Sequence, residues 1–212
     1  MAKFTNGTAN AAIKGSAGRL FGVVVNSHSS GTIKLNDGAD GTASAGVKAS
    51  GTLTASGVFA AGETVTIGDR TYTFRTALTG VANEVLIGAN AAASLDNLKA
   101  AINGDAGAGT TYGTGTQAHS NVTATTNTDT TQVVEFWKVG TEGNALVTTE
   151  TGDNAAWGAG TLASGAEPNY LICNTITFAA GPQTLTFPAP VDFQKGLYLT
   201  KGGTIDYTVI YD

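Results

Sequence analysis

Leu20-Phe21-Gly22-Val23-Val24-Val25-Asn26 and, far along the chain, Ile205-Asp206-Tyr207-Thr208-Val209-Ile210-Tyr211-Asp212 are the stretches on which the fold turns. In the first, Phe21, Val23 and Val25 alternate with Gly22, Val24 and Asn26. In the second, Ile205, Tyr207, Val209 and Tyr211 alternate with Asp206, Thr208, Ile210 and Asp212. A period of two marks a strand with one face buried. Ile33 and Leu35 against Lys34 and Asn36 predict another strand, with His28-Ser29-Ser30-Gly31 as the turn of a hairpin. Ile176 and Phe178, Leu185 and Phe187, then Leu197 and Leu199 add strands whose opposite face carries Thr175, Thr177, Thr184 and Thr186. These read as half-buried antiparallel strands. A lone hairpin is marginal in water, so the early strands need the late ones as partners.

Between them lies a segment with elements of its own. Val65 and Ile67, then Tyr72 and Phe74, flank Gly68-Asp69-Arg70 as a hairpin. Short strands are expected at 85–87, 122–124, 133–137 and 145–149. One helix is predicted over about 91–103: Asn90 suits an N-cap, Leu95, Leu98 and Ile102 share a face, and Gly104 suits a left-handed C-cap. Residues 1–19 read as a weakly specified arm with one short strand near Ile13. Gly/Ala/Ser-rich stretches at 37–51 and 152–168 are where an insertion is tolerated. The fold class is therefore mainly β: a small antiparallel β-sandwich from 1–47 plus 167–212, interrupted by a β-rich α+β module at 48–166. One elongated β domain is the alternative.

Composition agrees and excludes several functions. The 212 residues should bury roughly 70% of the unfolded surface. They include 29 Gly and 34 Thr but only 13% charged residues, which fits many short strands and tight turns. A net charge of −5 offers no footprint for nucleic acid. Cys173 is the single cysteine, so no disulfide forms within one chain, and in Leu171-Ile172-Cys173 a buried inert thiol is expected. The N-terminus lacks the apolar core of a secretory signal, and the longest apolar run, 20–25, falls far short of a bilayer span. A product made in the cytoplasm is expected, without membrane partners.

Chemistry is sparse. Zincin, zinc-ribbon and P-loop motifs are absent from the sequence. Gly107-Ala108-Gly109-Thr110-Thr111-Tyr112-Gly113 lacks the Lys and spacing of a phosphate cradle. Asn36-Asp37-Gly38-Ala39-Asp40-Gly41 offers oxygen ligands but no closing bidentate Glu, so a turn-forming cluster is expected rather than a calcium loop. His28 and His119 come with no nucleophile elbow. Glu63, Asp69, Glu84, Asp96 and Glu135 are scattered, and a glycosidase pair among them has thin support. No catalytic, cofactor or metal residue is assigned. Tyr112, Trp137 and Trp157 are the candidate glycan contacts should the middle module bind sugars, although packing is the commoner role for such side chains.

The outer segments also carry a resemblance. Residues 15–35, with Leu20-Phe21-Gly22-Val23-Val24-Val25, resemble the opening of small virion proteins of tailed bacteriophages. So do 173–182, Phe193-Gln194-Lys195-Gly196-Leu197-Tyr198-Leu199 and 203–211. Ala61-Gly62-Glu63-Thr64-Val65-Thr66-Ile67-Gly68-Asp69-Arg70-Thr71-Tyr72-Thr73-Phe74, 85–88 and 94–103 are similar to a module of phage structural proteins. The resemblance covers most of 13–211 and rests on strand and turn patterns. It implies a non-enzymatic capsid decoration (cement) protein, a homotrimer on the outer capsid surface of the virion. The major capsid protein would be its partner, and the middle module would project outward. A head-fibre or receptor-binding protein recognising host glycans, and a tail structural subunit, remain alternatives.

Overall fold

The structure, a computed structural model, describes residues 1–26 and 31–212; His28 and the turn expected around it fall on residues outside the described ones. The chain is mainly β with one α-helix. It opens with β1 (Lys3–Gly7), β2 (Ala11–Lys14) and β3 (Gly18–Asp37). Then come β4 (Lys48–Ala55), β5 (Thr64–Ile67), β6 (Arg70–Arg75), β7 (Glu84–Leu86) and α1 (Ala91–Asn103). They are followed by β8 (Val122–Asn127), β9 (Thr131–Val139), β10 (Thr148–Glu150) and β11 (Ala155–Trp157). Last are β12 (Tyr170–Phe178), β13 (Gln183–Phe193) and β14 (Leu197–Tyr211). Two compact units result, Met1–Ala45 with Pro168–Asp212, and Gly46–Glu167.

The first unit is one six-stranded sheet built on the long antiparallel pair β3–β14. One half of β3 pairs with β13 and the other with β12, while β14 pairs with β1 and β2. The expected hairpin of 20–25 on 33–36 does not form: both runs pair with β14, as Val23 with Val209 and Leu35 with Leu199. Residues 197–199 and 205–211 likewise belong to a single strand. The reason lies at the waist. Gly31 sits opposite Gly203 and Thr32 opposite Gly202, so the polar interruptions of the two strands face each other. A Cβ at Gly31 would collide with Ile205 Cγ1, and Gly203 takes a φ of 72°. Glycine here bends a strand rather than ending it.

That bend curls the sheet into a half-barrel around one core. Leu20, Val23 and Val25 come from one half of β3 and Ile33 and Leu35 from the other. Phe193, Leu197, Leu199, Ile205, Tyr207 and Val209 join them, each at most 1% exposed. The curl brings Lys14 of β2 to the far end of β14, where its ammonium donates to the Asp212 carbonyl at 2.6 Å. β1 had no apolar alternation to announce it; it adds to the edge of β14, where only its backbone has to match.

The second unit holds two four-stranded sheets, in the orders β10-β5-β6-β7 and β11-β4-β9-β8. Ile67 pairs with Arg70 across the two-residue loop Gly68-Asp69, with Gly68 at φ 59°. The Asn90 side chain caps α1 by accepting the Ala93 N–H at 2.8 Å, and Gly104 ends it at φ 68°. Leu95, Leu98 and Ile102 are buried against the sheets, each contributing about 1.5–3 kcal/mol. Phe59 stacks on Phe74 with centroids 3.9 Å apart. The strand expected over 145–149 is shorter: Glu142–Ala145 forms a 3-10 turn and pairing begins at Thr148.

Candidate functional site

The three candidate aromatics occupy three different environments. Tyr112 is 3% exposed and bridges to Val85, with its hydroxyl donating to the Asp105 carbonyl. It is part of the core of the second unit. Trp137 follows the buried Phe136 on β9, so it points to the opposite face and is 57% exposed. Trp157 pairs with the fully buried Leu53, which places it on the core side of the same sheet, at its edge. The two indoles therefore lie on opposite faces, and the three side chains do not form one groove.

Trp157 is half-buried and held in place. Its Nε1–H donates to the Thr149 carbonyl at 3.2 Å and its backbone N–H to Glu150 Oε2 at 3.3 Å. With Thr148, Ala159 and Gly160 these residues line a depression of about 300 Å3.

The remaining candidates are occupied with holding the fold. In the glycine-rich loop, the N–H groups of Thr110, Thr111 and Tyr112 all donate to the Gly107 carbonyl, at 2.9, 2.8 and 3.3 Å, so they are turned away from any phosphate. Asp37 is 7% exposed and accepts the backbone N–H groups of Gln194 and Lys195 at 2.8 Å and of Gly196 at 3.3 Å. It organises the turn between β13 and β14. Asp40 caps Thr42 N–H at 2.8 Å and receives the Asn169 amide at 2.9 Å. Glu84 is buried, accepts from the Thr79 backbone and hydroxyl at 2.8 and 2.9 Å, and pairs with Arg75 at 3.2 Å. The bond from the Thr79 backbone, above all, holds its carboxyl below the usual range. Glu63 accepts the Ala60 N–H at 2.8 Å, while Asp69 and Asp96 stand exposed. Glu135 lies on the outer face of its sheet, opposite Ser50 and Thr123. Cys173 is half-buried and its thiol is pushed up by burial. Among the described residues no group of three or more His, Cys, Asp or Glu could hold a metal ion.

Asn103, the last residue of the helix, ties that helix to β8. Its amide accepts Ala124 N–H at 2.8 Å and donates to the Ala124 carbonyl at 3.0 Å, so one side chain extends the edge of β8. An Asn at a helix end has this reach, but its partner lies 21 positions away and no local pattern marks it.

His119 is also structural. Its Nδ1 accepts the Asn121 N–H at 3.1 Å, which leaves Nε2 to donate to the Ile67 carbonyl at 3.0 Å. Burial first of all lowers its pKa from the ordinary 6.5. In the unfolded chain the ring binds a proton near 6.5, whereas the folded chain resists until a lower pH. Within that window the unfolded state holds more protons, so stability falls as pH drops through 6.5. Urea denaturation followed by tryptophan fluorescence should give a lower midpoint at about pH 5.5 than at about pH 7.5. The variant His119→Gln should lose this difference while being less stable at both; an unchanged difference would place the proton elsewhere.

Comparison with protein-family models, with curated protein sequences and with solved structures finds no match to this chain.

Proposed function

We propose that the protein is a non-enzymatic structural component of a tailed-phage virion, decorating the outer capsid surface as a homotrimer bound to the major capsid protein. The observation that carries this reading is the rim of the first unit. β12 and β13 flank β3 on its outer side, and along them Ile172, Ile176, Leu185, Phe187 and Val191 are only half-buried. Tyr170 and Leu171 on β12 are 59% and 42% exposed. Strand edges with apolar side chains are costly to leave in water, and closed association of identical copies covers them. Pro188 and Pro190 on β13 remove two backbone donors, so that edge favours side-chain packing over open-ended sheet extension. The sequence resemblance of the outer segments to virion proteins points the same way. Three copies gripping one shell would raise avidity by about 10²–10⁴ over a single arm.

Light scattering on the purified chain should give three times the chain mass, and cryo-electron microscopy of virions should place trimeric density at three-fold positions on the head. A monomer at micromolar concentration, or density confined to the tail, would refute the reading.

A further inference from the structure

We propose that the depression beside Trp157 binds one pyranose ring of an uncharged sugar. All its residues belong to the unit Gly46–Glu167, so the inference stands apart from the capsid reading. A volume of about 300 Å3 is at the lower end of ligand sites and is suited to a single ring rather than an extended chain.

The aromatic wall is fixed before any ligand arrives. Nε1 and the backbone nitrogen of Trp157 are both donating, and on the core side the ring approaches Gly51, where a Cβ would stand 3.6 Å from Cζ3. A pre-ordered indole loses little entropy on binding. The apolar C–H face of a pyranose is the natural complement of such a surface, because it covers indole carbon without stranding a polar group.

The polar side of the site selects for hydroxyls. Glu150 spends Oε2 on the Trp157 N–H, while Oε1 takes no hydrogen bond among the described residues. A carboxylate only accepts, so it calls for a donor on the ligand, and it repels phosphate and acidic sugars. Thr149 contributes its backbone carbonyl, which already accepts the Trp157 Nε1–H at 3.2 Å. Thr148 takes no part, since its hydroxyl already donates to the Ala159 carbonyl at 2.8 Å. A quaternary ammonium would also suit a carboxylate and an indole, but cation recognition of that kind uses a cage of several aromatics. Trp157 is the one aromatic lining this depression among the described residues.

The test is an NMR titration of the nitrogen-15-labelled full chain with methyl glucoside, methyl galactoside and N-acetylglucosamine, each up to about 50 mM, a range that captures millimolar affinity. At least one sugar should move the Trp157 indole resonance saturably and leave that of Trp137 in place. Glu150→Gln keeps an acceptor for the Trp157 N–H and should weaken binding about tenfold, the loss of one charged hydrogen bond. An unshifted Trp137 resonance shows that this variant is folded. Trp137→Phe should bind as the parent does. The proposal is overturned if none of the three sugars saturates, if the shift follows Trp137, if Glu150→Gln binds equally well, or if choline binds at the depression and the sugars do not.

Discussion

Replacing Asp37 by Ala should cost about 3 kcal/mol and unfold the first unit well before the second. Three backbone N–H groups, those of Gln194, Lys195 and Gly196, converge on this one carboxylate. Charged hydrogen bonds are worth more than neutral ones, and a buried donor stripped of its acceptor costs about 1–3 kcal/mol. Gly196 is buried, so water does not readily take the place of the lost oxygen there. The consequence reaches beyond the turn, because these residues set where β13 stops and β14 begins. Asp37→Asn retains one acceptor oxygen and should lose about half as much. The measurement separates the units cleanly. Both tryptophans lie in the second, so fluorescence follows that unit, while amide hydrogen exchange of 1–45 and 168–212 follows the first. Exchange in those segments should accelerate with the fluorescence midpoint unmoved. Parental protection throughout would show that solvent satisfies the three donors after all.

Excising 46–167 should leave a folded first unit. Its core draws on no residue of the excised segment. The cut ends also lie side by side: Ser44 N–H donates to the Asn169 carbonyl at 3.0 Å and Asn169 N–H to the Ser44 carbonyl at 2.8 Å. This antiparallel pair stands where a hairpin would turn, so a short Gly/Ser link closes a small loop at low entropic cost. A cooperative thermal transition and dispersed amide resonances are the expected results, with light scattering showing a trimer. An unfolded product would mean that the first unit depends on the second for stability. A folded monomer would spare the unit but remove the proposed trimer surface from it. The two failures are thus distinguishable in one sample.

Local elements were legible in the sequence because a few neighbouring residues decide them. The α1 boundaries follow from Asn90, the Leu95-Leu98-Ile102 face and Gly104, all within four turns of helix. The β5–β6 hairpin follows from Gly68-Asp69 between two alternating runs. Alternation along β12, β13 and β14 placed the buried faces of the first unit.

The candidate site was less legible, since its members are assembled by register. Whether Trp137 and Trp157 share a face depends on how β9 and β11 pair with β4, and a step of one residue would reverse the answer. Tyr112, a candidate contact in a Gly/Thr-rich loop, is carried inward because the loop folds back on its own Gly107 carbonyl.

By itself, then, the sequence determined the mainly β class, the helix with its caps and which side chains face a core. These rest on backbone preferences and on periodicities that act over a few residues. Only the tertiary structure decided that β3 runs on through Gly31 rather than closing a hairpin there, because Gly31 pairs with Gly203 of β14 across the sheet. It alone assigned Asp37 to a turn more than 150 positions away, whereas the turn-forming character of 36–41, seen in Asp40 capping Thr42, was already expected from the residues. Contacts between residues so far apart in the chain leave no local pattern, and the bends and pairings they impose exist only once the sheet has closed on its core.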